Sequence, residues 1–331
     1  MKTKKNICPI KSLRVRAWYE GIKQRSNCTN PHQIEKLIEN KIPTPLHPDT
    51  PLRNKWRRYR LGIEVPRQKF VQNVDVVFPG SAREFNHPLW EILLRGDQVI
   101  SDIDNWMEKL EPKVQFAVFG QSYEVFPVKS RQPFSSKIGR ELVKLGNIDA
   151  LAAILLYWIE SKQLGQVNNT QNQAQYMYRL LLMLGLELKE RNLAEDLFDL
   201  ILERVFDRTN WGTNLEFGIN YSHYRRAFNL LNVMLYKFPE LKAFSSRKTC
   251  SSAMHLLLEG KRGLSISCGL DVVLTPNWQF GPPTEGEWNS WVRHYKEWLW
   301  GWTHLNRTTI GYYGEDDIWK SLGLNSLSSR G

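Results

Sequence analysis

This chain lacks the cysteine patterns that carry metal sites or disulfide frameworks. Its 331 residues include four cysteines, Cys8, Cys28, Cys250 and Cys268. No two of them form a CxxC pair, and none has a histidine at zinc-finger spacing. Scattered cysteines of this kind are typical of reduced thiols in a cytoplasmic protein, so we expect no disulfide, no metal site and no cofactor.

Long hydrophobic runs are also missing. The longest apolar run, Ala150 to Ile159, has ten residues. A membrane-spanning helix needs roughly 20, so this run predicts a buried helix and no membrane partner. The N-terminus is basic, but no apolar segment follows it, so we expect no secretory signal and a cytoplasmic location.

Familiar catalytic motifs are absent as well. The sequence contains no HExxH, no GxSxG, no phosphate-binding Walker loop and no GxGxxG leading into a helix. Carboxylates are frequent between Glu187 and Glu203, but from Asn192 onward they alternate with Leu193, Leu197 and other apolar residues, as on a surface helix. The sequence therefore predicts no catalytic residue, and an enzyme is the least favoured function.

Positive charge, by contrast, is abundant and concentrated at one end. Residues 1–70 contain 17 Lys and Arg against 5 Asp and Glu, a net charge of +12. Residues 71–331 contain 28 against 29, a net charge of −1. A module with so much like charge repels itself unless a polyanion or an acidic partner binds it, so nucleic acid is the first partner to consider.

Helix signals are dense in this basic module. Apolar spacing predicts a helix over residues 12–25, and Asn30-Pro31 supplies an N-cap and a first-turn proline for a second one. Three prolines between Lys41 and Asp49 predict a loop. Thr50-Pro51 then predicts a third helix that ends at Gly62, and a fourth helix is expected after Pro66.

The third predicted helix, about residues 51–61, carries the candidate site. Trp56 and Tyr59 are three residues apart and are expected to share an inward face. The other faces are basic, and arginine suits paired hydrogen bonds to phosphate or to guanine. The alternative interpretation is a solvated basic face. The residues predicted to contact nucleic acid are Arg53, Asn54, Lys55, Arg57, Arg58 and Arg60.

One spacing pattern resembles a known family. It comprises Trp56, Tyr59, Gly62, Pro66, Phe70 and Val74. This pattern is similar to the end of an XRE/Cro-like (repressor-type) helix-turn-helix domain, and the resemblance covers about residues 12–80. It implies a bundle of four or five short helices and a recognition helix in the DNA major groove. The family has a tight turn where this chain has its proline-rich loop, so the helix could read bases or lie along phosphates.

The sequence as a whole predicts a mainly α-helical fold in three parts. Residues 1–82 form the basic helix-turn-helix-like domain, residues 83–250 a larger helical body, and residues 251–331 a tryptophan-rich region packed on that body. The polar run from Val167 to Gln175 is expected to be an exposed connector. Leu264 to Leu274 alternates apolar and polar residues and predicts a strand or a short β-hairpin.

A stripe of large aromatics lies near the C-terminus. Trp288, Trp291, Tyr295, Trp298 and Trp302 step by three and four residues and so share one face of a helix. We expect this face to pack in the core. A self-association or protein interface, or a platform for stacking bases, are the alternatives.

Together these features favour a DNA-binding protein over other functions. The expected class is a prokaryotic transcriptional regulator or a DNA-binding factor associated with mobile elements or defence. The alternative is a non-enzymatic interaction subunit that binds RNA or an acidic protein through the same basic module.

Overall fold

The structure, a computed structural model, describes residues 7–39, 41, 55–120, 130–212, 214–238, 247–277 and 284–306. It is mainly α-helical, as the sequence predicts. Contacts divide the chain into two compact units. The first unit comprises residues 1–96 and 187–197, and the second comprises residues 97–186 and 198–331.

The first unit is built from short helices around α1. They are α1 (Pro9–Ser26), α2 (Pro31–Glu39), α3 (Lys55–Arg60), α4 (Gln68–Val77), α5 (Ser81–Phe85) and α6 (Pro88–Arg95). Residues 187–197 also belong to this unit.

The second unit contains longer helices. After a 3₁₀ segment (Gly96–Asp102) come α7 (Ile103–Glu108), α8 (Pro112–Phe119), α9 (Ser136–Leu145), α10 (Ile148–Gln163), α11 (Val167–Glu190) and α12 (Ala194–Ile201), with a π-helical turn at Leu202–Phe206. Then follow β1 (Leu215–Phe217), α13 (Tyr221–Lys237), α14 (Arg247–Leu258), α15 (Leu264–Gly269), β2 (Leu274–Pro276) and α16 (Glu285–Leu305).

Trp18 of α1 is at the centre of the first unit's core. Its ring stacks on Trp56 with centroids 5.6 Å apart, and it meets Tyr59 edge-on at 5.6 Å and Phe85 edge-on at 5.7 Å. All four side chains are buried. Aromatic pairs in these geometries stabilise a core beyond the area they bury, so this cluster ties α1, α3 and α5 together.

The helix ends of the first unit form where the sequence predicts them. Asn30 caps α2, because its Oδ1 accepts the backbone N–H of Gln33 at 3.0 Å. Gly62 ends α3 with φ of 66°. Its N–H donates to the Tyr59 carbonyl at 2.9 Å, and the next N–H, that of Ile63, donates to the Arg58 carbonyl at 3.1 Å. This pair of bonds is a Schellman motif. The predicted proline-rich loop and the Thr50-Pro51 cap lie outside the described residues, apart from Lys41.

The core of the second unit includes the apolar run noted in the sequence. Ala150 to Ile159 lie on α10, and all ten side chains are buried, which confirms the predicted helix. Asn147 begins this helix as its N-cap, since its Oδ1 accepts the Ala150 N–H at 2.8 Å. No helix in the described part of the chain has the length and hydropathy to cross a bilayer.

The prediction of an exposed connector at residues 167–175 is wrong, because this segment forms the first turns of α11. Gln173 is completely buried, and its Nε2 donates to the Ser161 hydroxyl at 2.9 Å. Thr170 donates its own hydroxyl to the Val167 carbonyl at 2.7 Å. Polar side chains whose hydrogen bonds are satisfied within the fold can line a buried helix face, so polarity alone misled the prediction.

The strand predicted from Leu264 is also wrong over its first half, where α15 forms instead. A Cβ on Gly269 would lie 2.5 Å from the Gly301 carbonyl carbon, so these two glycines let α15 and α16 approach closely. This contact outweighs the weak strand propensity of the segment. The two-stranded sheet pairs β2 antiparallel with the distant β1, with Phe217 opposite Leu274, and is not a local hairpin.

Replacing Gly62 with alanine should destabilise the first unit. The new Cβ would overlap the Ser12 hydroxyl and lie 2.8 Å from the Ser12 carbonyl oxygen, in a left-handed backbone conformation. We expect the local free energy of opening to fall by about 2 kcal/mol or more, measured by hydrogen exchange of α1 peptides.

Gly80→Ala is the matched control for that substitution. Gly80 also has a positive φ, 87°, but nothing lies within 4 Å of its would-be Cβ. Backbone strain alone should cost about 1 kcal/mol there. Equal losses in the two variants would show that the overlap with Ser12 contributes nothing.

Candidate nucleic-acid interface

Helix α3 presents the predicted contact residues. Lys55, Arg57, Arg58 and Arg60 lie on it, whereas Arg53 and Asn54 lie outside the described residues. Trp56 and Tyr59 are buried in the Trp18 cluster, as the spacing predicts. These two rings fix the rotation of a six-residue helix, so that Arg57, Arg58 and Arg60 are exposed.

Lys55 is directed toward the core and not toward solvent. Its Nζ lies 4.0 Å from the Phe70 ring centroid and 6.0 Å from that of Tyr59. Burial lowers the pKa of Lys55, and the nearby carboxylates of Glu64 and Glu35 oppose that shift. The ammonium group is therefore engaged in cation–π contacts and serves mainly to hold α3 in place.

Arg58 already has a carboxylate partner. Its Nε lies 3.1 Å from Glu64 Oε2, and the Arg58 side chain is exposed. An exposed ion pair of this kind contributes no more than about 1 kcal/mol. Displacing Glu64 from Arg58 therefore costs little.

Arg57 and Arg60 are the exposed cations of α3 that remain. Both side chains are exposed, and neither forms an ion pair with a carboxylate of the described residues. They are three residues apart, so they are neighbours on the helix surface. Two neighbouring guanidinium groups, with no counter-charge from the described residues, are suited to an anion with several negative charges.

Arg67 is a further candidate that the sequence reasoning missed. It is exposed and precedes α4. Burial is the main cause of the lowered pKa of Lys55, and the positive charge of Arg67 lowers that pKa further. The available signal was the position of Arg67 in the sequence, five residues after Gly62 and close to the basic helix. The cationic surface formed by Arg57 and Arg60 is named the α3 surface.

Apolar side chains border the α3 surface. Leu61, Ile63 and Val65 follow α3 directly, and all three are exposed. Exposed apolar side chains are common on protein surfaces, so they do not by themselves indicate a binding site. Beside cations they could contact the apolar parts of a ligand, such as thymine methyl groups.

His87 has a capping role: its Nδ1 accepts the Leu89 N–H at 3.1 Å at the start of α6. Within the described ranges, no group of three or more His, Cys, Asp or Glu side chains is placed to hold a metal ion.

The aromatic stripe, Trp288, Trp291, Tyr295, Trp298 and Trp302, forms a continuous ladder along α16. Successive centroids lie 4.9, 5.4, 5.8 and 5.8 Å apart. Trp288 is 37% exposed and the other four are half-buried. The predicted core position is therefore wrong. The buried residues of α16 are Trp300, Gly301 and Leu305, because Gly301 provides the close contact with α15.

One side of the stripe packs against its own unit. Trp291 Nε1 donates to the Leu274 carbonyl at 2.7 Å, and the His223 ring stacks on Trp302 with centroids 4.3 Å apart. Burial, with a smaller contribution from Arg226, lowers the pKa of His223 to about 4, so this imidazole is neutral near pH 7. These contacts fix the ladder from one side.

No family model matches this sequence, and comparisons with curated proteins and with solved structures return no significant match.

Substitutions on α3 should separate the cation that supports the helix from those that are free to bind. Lys55→Ala is expected to lower the free energy of unfolding by about 1 kcal/mol, because it removes the cation–π contact and the packing over Phe70. Arg57→Ala and Arg60→Ala should each change it by less than about 0.5 kcal/mol. Chemical denaturation of the three variants measures this, and a similar cost at all three positions would contradict the assignment.

Proposed function

We propose that this chain is a DNA-binding protein that docks on duplex DNA through the α3 surface. The observation that supports it is the pair Arg57 and Arg60, which are exposed and have no carboxylate partner in the part of the chain that the structure describes. They lie on a helix whose other face is fixed by buried aromatics. A fixed helix keeps such guanidinium groups in a constant geometry, which lowers the entropy lost when they bind phosphate.

Duplex DNA fits this surface better than duplex RNA. The B-DNA major groove is about 12 Å wide and admits a helix, whereas the major groove of A-form RNA is too narrow for side chains to read. Arg57 and Arg60 contact phosphates in this proposal, and Leu61 and Ile63 lie beside them, where they can meet base methyl groups. The resemblance to XRE/Cro-like domains supports the same choice.

The proposal extends to a biological class. A basic docking surface combined with a separate helical unit suits a prokaryotic transcriptional regulator, or a DNA-binding factor of a mobile element or defence system, acting in the cytoplasm. The nearly neutral remainder of the chain adds little non-specific attraction for DNA, since residues 71–331 have a net charge of −1.

Removing the two arginines should weaken DNA binding and flatten its salt dependence. For the full chain carrying Arg57→Ala and Arg60→Ala, we expect the slope of log affinity against log salt to fall by about 2, because each phosphate contact contributes roughly one unit. Fluorescence anisotropy of a labelled duplex at several salt concentrations measures the slope.

The matched control removes two arginines elsewhere. Arg140 and Arg208 are exposed and form no ion pair with the described residues. Arg140→Ala with Arg208→Ala changes the net charge equally and should leave the slope unchanged. If both double variants lose the same slope, binding depends on total charge and the α3 surface is not the site. Tighter binding to RNA than to duplex DNA would support the interaction-subunit alternative.

A second role, self-association, is favoured by the partial exposure of the aromatic stripe. If the stripe joins two chains, light scattering should show a dimer that Trp288→Gln weakens, because Trp288 is the most exposed of its rings. Leu256→Gln, at another exposed apolar position, is the control. A monomer at all concentrations would remove this role and leave the DNA proposal unaffected.

A further inference from the structure

The second unit contains a cavity that no part of the DNA proposal uses. Its volume is about 990 Å³, and its walls come from α8, α9 and α14. Ligand pockets in proteins occupy roughly 300–1,000 Å³, so this cavity has room for a drug-sized molecule.

One wall of the cavity is apolar and partly open to solvent. Phe116 lines it and is 56% exposed, although a phenylalanine is normally buried. Ala117, Ile138 and Leu145 lie on the same lining. An exposed aromatic ring inside a concave site gains free energy when an apolar ligand covers it.

The polar part of the lining has an excess of positive charge. Lys113, Lys137 and Lys144 line the cavity, and none forms an ion pair with a carboxylate of the described residues. The two lining carboxylates are Glu111 and Glu141. Glu111 also accepts a hydrogen bond from the Asn147 side chain, a neutral donor that leaves its charge in place. Three lysines and two carboxylates leave the lining with a net charge of +1, which favours an anionic group in the cavity.

The walls are held by contacts that do not need a ligand. Buried Asp149 accepts the Glu111 N–H at 2.9 Å and so joins the start of α8 to α10. The Gln132 N–H donates to the Val118 carbonyl at 3.0 Å. At the end of α9, Gly146 has φ of 60°, and a Cβ there would lie 2.5 Å from the Ser251 hydroxyl of α14. A cavity with walls fixed in this way is preformed, which lowers the cost of binding.

We propose that this cavity binds a small amphipathic organic anion. Its apolar or aromatic body lies against Phe116, Ala117 and Leu145, and its carboxylate, sulfonate or phosphate head lies among the three lysines. Lysine suits such a head because its ammonium group, on a flexible stem, adjusts to the position of a single anion. The inference concerns the second unit alone and does not depend on DNA binding.

Two fluorescent probes that differ by one charge test the proposal on the full chain. The anionic probe is 1-anilinonaphthalene-8-sulfonate, and the neutral probe is N-phenyl-1-naphthylamine, which lacks the sulfonate. We expect saturable binding of both, with the anionic probe preferred. Lys137→Ala with Lys144→Ala should weaken the sulfonate about five- to tenfold and change the neutral probe less than about twofold. As a charge control, Lys189→Ala with Lys237→Ala, both exposed, should change neither.

Blocking the apolar part distinguishes the cavity from other aromatic surfaces such as the stripe. Ala117→Trp should abolish binding of both probes, and Phe116→Ala, at an exposed position where folding is insensitive, should weaken both. Circular dichroism confirms that each variant is folded. Unchanged binding in Phe116→Ala, or equal loss of both probes in the lysine variant, would overturn the proposal.

Discussion

The burial of Trp56 and Tyr59 against Trp18 is the constraint on which the basic surface depends. Helix α3 is too short to be stable by itself, because a single turn gains few backbone hydrogen bonds for the entropy it loses. Its conformation must therefore come from the aromatic cluster. Once both rings are buried, the rotation of the helix about its axis is fixed, and the side chains of Arg57 and Arg60 point to solvent. The orientation of these two arginines is therefore a consequence of aromatic packing alone.

The same unit separates its positive charges into two groups. Arg14, Arg16 and Arg25 of α1 pair with Glu91, Asp196 and Glu84, at 3.0, 2.5 and 2.6 Å. Glu84 also pairs with Arg191 and is mostly shielded from solvent. Removing this carboxylate would leave two arginines without this partner, so its ion pairs stabilise the unit. The carboxylates come from outside residues 1–70, which is why a charge count along the sequence overstates the free charge of the module. Among the described residues, Lys11, Lys36 and Lys69 are exposed without an ion pair, as Arg57 and Arg60 are. The α3 surface differs from these single lysines because its two cations are neighbouring guanidinium groups on a helix fixed by buried aromatics.

Local signals were the ones the sequence could predict. The Asn30 cap, the Gly62 turn and the inward face of Trp56 and Tyr59 each depend on residues within a few positions of one another, and all three are present. Features decided by distant contacts were missed. The segment from Leu264 became a helix because Gly269 meets Gly301, and Gln173 entered the interior because Ser161 accepts its hydrogen bond. For the stripe on α16, the helical period was predicted correctly but the burial was not. Periodicity shows that residues share one face of a helix, but it does not show whether that face is covered.

The two proposed sites differ in their cations in a way that matches their ligands. The α3 surface relies on arginine, whose planar guanidinium forms paired hydrogen bonds and suits a phosphate backbone of fixed geometry. The cavity relies on lysine, whose mobile ammonium follows one anion in a site that also offers an apolar wall. Exchanging arginine and lysine between the two sites would weaken ligand binding at both. Lysines on α3 would lose the paired hydrogen bonds, and arginines at 137 and 144 would occupy volume that the ligand needs. The choice of cation at each place therefore supports the assignment of a polymeric anion to one unit and a small anion to the other.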